Sequence, residues 1–141
     1  MTPFQIDLVQ DSFALIVPRR AEASAIFYER LFAVAPETRS LFRGDLAEQG
    51  RKLMQVLATI VRNLQDLGPL LDSVDYLAQR HVGYGVSDDH YAVVGQVLIE
   101  TLRDCLGQSF TPETERAWAY AYTILSGRMI RAAREWRRLA A

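Results

Sequence analysis

Apolar residues recur at helical intervals along most of this chain, and this periodicity limits the possible folds more than any other feature. In the segment from Leu46 to Leu67, the predicted inner face carries Gln49, Leu53, Leu57, Ile60 and Leu64. These residues are spaced by four, four, three and four positions, as on one face of a long amphipathic helix. We find no convincing alternation of apolar and polar residues with the turn chemistry of hairpins. The sequence therefore predicts an all-α fold with six or more helices.

Helix start and stop signals divide the chain into segments. Thr2-Pro3 with Gln5 is typical of a helix start, and Thr111-Pro112 repeats that signal before a last long helix. Proline or glycine marks the breaks between the other segments, at Pro18, Pro36, Gly44, Gly68-Pro69, Gly83, Gly85 and Gly107. Because no repeat or linker separates these segments, we expect residues 1–141 to form a single domain.

Composition narrows the class of protein. A chain of 141 residues, of which 50% are hydrophobic, is expected to bury one sizeable core. The net charge of −1 argues against a nucleic-acid partner. The single cysteine, Cys105, cannot form an intrachain disulfide and is expected to be a small buried residue. No signal-peptide pattern and no bilayer-spanning apolar run are visible, so we expect a cytoplasmic protein without stable membrane association.

His81 stands at the end of an apolar helical face, in the stretch YLAQRHVGYGV, and shares that face with Leu70, Val74 and Leu77. A titratable ring on such a face is either a core residue with a satisfied hydrogen bond or a residue that holds a ligand. The other histidine, His90, lies in the predicted first turn of the following helix, which Ser87 can cap. We expect a surface or capping role for His90.

Several sequence features resemble one family when taken together in their order. They are SLF with Phe42 after the short third helix, EQGRKLMQVL with Gln49 and Leu53, QRHVGYGV with His81, and HYAVVGQVLIETL followed by FTPETERAWAYAY. This ordered set resembles the globin family over nearly the whole chain. The resemblance is strongest to bacterial single-domain globins and the haem domain of flavohaemoglobins, and CLGQSFTPETERAW also resembles neuroglobins. It implies a globin fold of six to eight helices around a haem pocket, with haem b (iron protoporphyrin IX) as cofactor.

The resemblance implies cofactor contacts for individual residues. His81 resembles the proximal ligand, in which one ring nitrogen binds iron and the other needs an acceptor that fixes the ring. Phe42 resembles the aromatic residue that packs against the haem plane, a role compatible with ordinary core packing. Lys52 and Arg80 are candidates for contacts with the haem propionates, with solvated charges as the alternative. The residues expected to line the haem faces, or simply the core, are Leu53, Leu57, Leu77, Val86, Val94 and Leu98.

On the distal side, the resemblance implies that Tyr28 points over the iron and that Gln49 is the distal residue of its helix. Dioxygen gains negative charge when it binds iron, so hydrogen-bond donors aimed at it stabilise the bound ligand. The alternative is a tyrosine at the helix surface and a solvated glutamine. Vertebrate oxygen carriers and neuroglobins usually have histidine at the position of Gln49, so bis-histidine ligation by that residue is excluded here.

On the proximal side, Tyr91 and Glu135 resemble a tyrosine and a late-helix glutamate of flavohaemoglobins. In that family the glutamate accepts hydrogen bonds from the proximal ring and from the tyrosine hydroxyl. A carboxylate acceptor makes the imidazole a stronger donor to iron, which would favour O–O bond chemistry over simple carriage. Alternatively, Glu135 is only an exposed ion-pair partner among Arg131, Arg134 and Arg138.

These assignments imply a haem protein that binds dioxygen, nitric oxide and carbon monoxide at a five-coordinate iron. The leading hypothesis is nitric oxide dioxygenation, which converts nitric oxide and dioxygen to nitrate. No flavin or nicotinamide domain fits in this length and no G-x-G-x-x-G motif follows a strand, so electrons would come from an external reductase. The alternatives are an oxygen storage, delivery or sensing module without turnover, and a haem-free helical interaction protein.

The C-terminal segment GRMIRAAREWRRLAA carries five arginines against one glutamate. Such a segment either complements the helix dipole and faces water, or docks an acidic partner or a membrane surface. The sequence leaves these alternatives open.

Overall fold

A computed structural model describes residues 1–140, and within them it contains six α-helices and no strand. The α-helices are α1 (Pro3–Ile16), α2 (Arg20–Val34), α3 (Leu46–Arg62), α4 (Leu71–Gly83), α5 (Asp88–Leu106) and α6 (Pro112–Ala140). Four short 3₁₀ helices lie between them, at Val17–Arg19, Pro36–Leu41, Gly68–Leu70 and Gly107–Ser109. The predicted all-α fold of six to eight helices is confirmed.

The helix signals in the sequence act as expected in most places. Thr2 and Gln5 form a reciprocal capping box at the start of α1, with hydrogen bonds of 3.1 and 2.9 Å. One boundary differs, because α3 ends at Arg62 and not at Leu67. The side-chain amide of Asn63 donates a hydrogen bond of 2.7 Å to the Thr59 carbonyl. In a continuing helix, the backbone amide of Asn63 would use that acceptor.

The apolar core consists of two separate clusters. The larger cluster is formed mainly by α1, α2, α3, α5 and the first half of α6, and it includes Trp118, whose Nε1 donates 2.8 Å to the Ser12 hydroxyl. The smaller cluster joins α4, the start of α5 and the second half of α6 through Val74, Ala78, Tyr91 and Met129.

The amphipathic helix α3 buries a different stripe from the predicted one. Gly50, Met54 and Val61 are buried, and the helix packs against α2. Of the predicted stripe, Gln49, Leu53, Leu57 and Ile60 lie beside them and are only half-buried, whereas Leu64, just after the helix, is buried as expected. In the part of the chain that the structure describes, α3 and α4 do not pack closely on each other. We refer to the gap between them as the crevice.

Candidate ligand-binding site

His81 is held in one orientation by its own helix. Its Nδ1 bonds to the Leu77 carbonyl at 2.7 Å, which requires that Nδ1 carries the proton and donates it. The other ring nitrogen, Nε2, has no hydrogen-bond partner among residues 1–140. Burial lowers the pKa of His81, so the ring is neutral at pH 7 and Nε2 keeps a lone pair that can bind a metal.

Tyr91 packs against the His81 ring. The ring centroids are 6.4 Å apart and the ring planes are inclined by 21°. The Tyr91 hydroxyl is buried and has no partner among the described residues. The backbone of Tyr91 is held from α6, where the Tyr122 hydroxyl donates 2.5 Å to the Tyr91 carbonyl. Gly95 allows this approach, because a Cβ there would lie only 2.7 Å from the Tyr122 ring.

The predicted role of Glu135 is not supported by the geometry. Glu135 is exposed, and its carboxylate bonds to Arg138 within α6 and not to His81 or Tyr91. The buried stripe of this part of α6 contains Met129, which packs in the cluster of Tyr91, and Ala133 one turn later. The buried side chain at this level of α6 is therefore the methyl group of Ala133, and within residues 1–140 the acceptor for the His81 ring is the Leu77 backbone carbonyl.

The residues predicted to line the haem faces flank the crevice in two groups. Five of them belong to the larger cluster, namely Phe42, Leu53, Leu57, Val94 and Leu98, and two to the smaller one, namely Leu77 and Val86. All except Leu98 are only half-buried, although each is large and apolar. Half-exposed apolar side chains on both sides of a gap are what a flat apolar ligand would cover.

The predicted distal residues lie on the α3 side of the crevice. Tyr28 is buried and meets Phe42 edge to face at 5.1 Å between centroids, so the structure brings these two together. Burial raises the pKa of Tyr28 to about 12, which keeps the hydroxyl a donor. Its ring reaches the start of α3, since a Cβ on Gly50 would lie 3.8 Å from Tyr28 Cε2. Gln49 is half-buried, and no hydrogen bond joins it to Tyr28 within residues 1–140.

The two predicted propionate contacts differ in their surroundings. Lys52 is exposed on α3. Arg80 is also exposed, but its Nε and Nη2 both donate to the Tyr84 hydroxyl, at 2.9 and 2.6 Å. Its guanidinium also lies 5.8 Å from the ring centroid of Tyr76, one turn earlier on α4. The Arg80 guanidinium therefore contacts two tyrosines, Tyr76 and Tyr84, along the outer side of its own helix.

The expected role of His90 is confirmed. Its Nδ1 accepts a hydrogen bond of 2.9 Å from the Ser87 amide in a capping box at the start of α5. This bond uses the ring nitrogen that faces the backbone. His81 and His90 thus have different tasks, and only His81 lies in the face that borders the crevice.

Sequence reasoning did not identify the partners of the α6 arginines. Arg128 binds Asp75 of α4, and Arg134 and Arg137 both bind Asp88 at the start of α5. Three of the five arginines in this C-terminal segment therefore form ion pairs with other helices of the same molecule. Arginine recurs at every third residue from 128 to 137, but nothing in the sequence pairs Arg128, Arg134 and Arg137 with carboxylates 46 to 53 positions away.

A family model described as Globin matches residues 25–129, which is more than half of the chain. The chain belongs to the globin family. This match covers the helices on both sides of the crevice, and membership of the family implies that the crevice of this globin holds a haem.

Relatives and solved structures agree with this assignment. The globin is 28% identical over 129 residues to a flavohemoprotein of Vibrio cholerae and 36% identical over 107 residues to one of Bordetella pertussis. These alignments cover 89% and 74% of this chain but only 33% and 27% of the two relatives, so the chain spans about a third or less of their length.

Two solved structures match the globin over almost its whole length. A bacterial globin from Campylobacter jejuni has a TM-score of 0.87 at 24% identity, with 97% of this chain and 99% of that chain covered. An engineered carbene transferase, itself a proposed nitric oxide dioxygenase, from Rhodothermus marinus has a TM-score of 0.88 at 27% identity, with 100% and 99% covered. The first shows the fold alone, and the second has a similar fold at a slightly higher identity.

The residues at the crevice fit a haem. A neutral imidazole with one nitrogen bonded to a carbonyl and the other free is the donor that haem iron requires. The apolar side chains on both sides of the crevice would suit the faces of a porphyrin. In residues 1–140 no helix is both long and apolar enough to cross a membrane.

Proposed function

We propose that this globin holds haem b through His81, binds dioxygen, nitric oxide and carbon monoxide, and converts nitric oxide and dioxygen to nitrate. The haem supplies reversible binding and one-electron chemistry of diatomic gases. The observation that carries the proposal is the pairing of a fixed, neutral His81 with buried Tyr28 across a crevice of half-exposed apolar residues. The flavohemoprotein relatives and the Rhodothermus marinus neighbour support the same reaction class.

Each residue then has a defined task. His81 holds the cofactor and keeps Nδ1 on the Leu77 carbonyl, which fixes the ring plane. Tyr28 and Gln49 act as donors that slow the escape of a polar ligand from the distal side. The apolar residues of the crevice exclude water from the haem faces. Lys52 is the exposed cation assigned to its carboxylates, and Arg80 would have to leave the Tyr84 hydroxyl to join it.

The reaction consumes one electron per nitrate, because nitric oxide, dioxygen and one electron together give the nitrate anion. An external reductase supplies that electron in our proposal. The flavohemoprotein relatives are about three times as long as this chain.

A second candidate is oxygen storage, delivery or sensing without turnover. The observation that favours it is the proximal side, where His81 bonds to a backbone carbonyl and Glu135 lies outside on Arg138. A neutral imidazole without a carboxylate acceptor is a weaker donor to iron, which suits carriage more than O–O bond cleavage.

Nitric oxide consumption by haem-loaded protein separates the two candidates. Purified protein in aerated buffer, with a chemical reductant or a non-cognate ferredoxin reductase, should remove repeated additions of nitric oxide and accumulate nitrate in equal amount. A single stoichiometric burst that does not resume when reductant is present would reject turnover and leave the carrier function. His81→Ala provides the control for nitric oxide loss that does not depend on the haem.

A further inference from the structure

The helix that carries His81 depends on one large packing partner. In the described residues, α4 packs mainly against α6, and it also contacts the 3₁₀ helix Gly68–Leu70 that precedes it and Tyr91 of α5, which packs against the His81 ring. It receives no comparable support from α3, because the crevice lies between them. The position of His81 relative to the crevice therefore depends on how α4 is held on α6.

The first fixed contact lies before His81 on α4. Arg128 donates from Nε and Nη2 to the two carboxylate oxygens of Asp75, each at 2.8 Å. This two-pronged geometry is the strongest form of arginine–carboxylate pair and defines both distance and angle. Both side chains are about one-third exposed, so solvent screens the pair less than an ordinary surface contact.

The second fixed contact lies after His81. Arg137 donates from Nη2 to the Val86 carbonyl at 3.0 Å, and the Val86 amide donates to the His81 carbonyl at 3.0 Å. Arg137 also reaches Asp88 at 3.3 Å, and Arg134 donates to the other oxygen of Asp88 at 2.9 Å. The end of α6 is thereby connected to the backbone of His81 through one residue.

We propose that Arg128 and Arg137 are positioning residues that clamp α4 onto α6 on both sides of His81 and so set the direction of Nε2 in the crevice. The inference rests on the haem binding proposed above. It also gives the arginine-rich end of α6 a task inside the molecule, where the sequence had allowed an acidic partner or a membrane surface. Without the clamp, α4 can slide or tilt on α6, and the His81 ring moves with it.

The test uses Arg128→Gln and Arg137→Gln, with Arg138→Gln as the matched control. Arg138 lies on the same helix, and among residues 1–140 its side chain bonds only to Glu135 of that helix. In the ferrous haem-loaded protein, the iron–histidine stretching band should shift or broaden in both clamp variants and remain unchanged in the control. Haem loss to a scavenger should be about two- to tenfold faster in the clamp variants.

Two further measurements distinguish positioning from general stability. Asp75→Asn should reproduce Arg128→Gln, and the double variant should be no worse than either single one, because both remove the same pair. In haem-free protein, amide hydrogens of α4 should exchange faster in the clamp variants while those of α1 do not change. This second measurement needs no haem, so it still tests the clamp if haem binding itself fails.

Results of two kinds would overturn the inference. If the clamp variants match Arg138→Gln in band position, rate of haem loss and amide hydrogen exchange, the two contacts do not hold α4 in place. Faster exchange of α4 with an unchanged iron–histidine band would show that the contacts stabilise α4 without directing His81.

Discussion

At the scale of single residues, the two histidines differ in the partner of Nδ1. In His81 this nitrogen donates to a carbonyl one turn earlier, and in His90 it accepts from a backbone amide. The first arrangement leaves Nε2 with a lone pair, whereas the second ties the ring to a helix start. His81→Ala should therefore abolish the Soret band or weaken haem binding, and His90→Ala should retain the spectrum. The opposite pattern in absorption spectra would reject His81 as the ligand.

The distal donors should control ligand escape. A hydrogen bond to a partly charged ligand contributes roughly 1.5–3 kcal/mol, so Tyr28→Phe and Gln49→Leu should each speed dioxygen dissociation about ten- to a hundredfold. Because the pKa of Tyr28 is raised to about 12, the phenol stays protonated and the wild-type rate should be constant from pH 7 to 10. Stopped-flow displacement by carbon monoxide measures these rates. Unchanged rates in both variants would show that neither side chain reaches the ligand.

The unpartnered hydroxyl of Tyr91 leads to a stability prediction. A buried hydroxyl without a partner costs about 1–3 kcal/mol, so Tyr91→Phe should leave the haem-free protein equally stable or raise its free energy of unfolding by about 1 kcal/mol. Tyr122→Phe is the matched control, since it removes a hydroxyl that is bonded and should cost about 1 kcal/mol. Urea unfolding measures both. A loss in Tyr91→Phe as large as in the control would reveal an acceptor for Tyr91.

At the scale of elements, the closeness of α2 and α3 depends on Gly50. A Cβ there would lie 2.5 Å from Ser24 Oγ and 2.8 Å from Ser24 Cβ, so the helices would have to separate. Gly50→Ala should cost about 1–3 kcal/mol and displace Tyr28. Gly127→Ala in α6, where nothing lies within 4 Å, should instead gain about 0.5–1 kcal/mol from helix propensity. Equal effects of the two substitutions in thermal unfolding would contradict the close approach.

At the scale of the whole molecule, the α6 arginines link acid stability to the placement of α4. Hydrogen bonding by Arg128 lowers the pKa of Asp75, and that by Arg134 lowers the pKa of Asp88. A carboxylate whose pKa is lower in the folded state stabilises the fold above its unfolded value near 3.9, and this stabilisation is lost as the pH falls through the folded pKa. The stability advantage of wild type over Asp75→Asn should therefore be constant near pH 6, begin to fall near about pH 4, and vanish only when the pH drops below the lowered pKa of Asp75 in the folded protein.

The stability advantage of wild type over Arg128→Gln should depend on pH in the same way, because this substitution removes the other half of the pair. Chemical denaturation of the haem-free protein from pH 7 to 3 measures both differences. An advantage over Asp75→Asn that does not decline at all between about pH 4 and pH 3 would mean that the ion pair is not its source.

The sequence by itself determined the helices, the family resemblance and the distinction between His81 and His90, because helical periodicity and caps depend on residues within a few positions of one another. The tertiary structure decided which face of each helix meets which neighbour. Glu135 lies two residues from the buried Ala133, and two residues rotate a side chain by about 200° around the helix, from core to solvent. The pairing of Arg128 with Asp75 joins positions 53 residues apart, and only the packing of α6 on α4 brings them together.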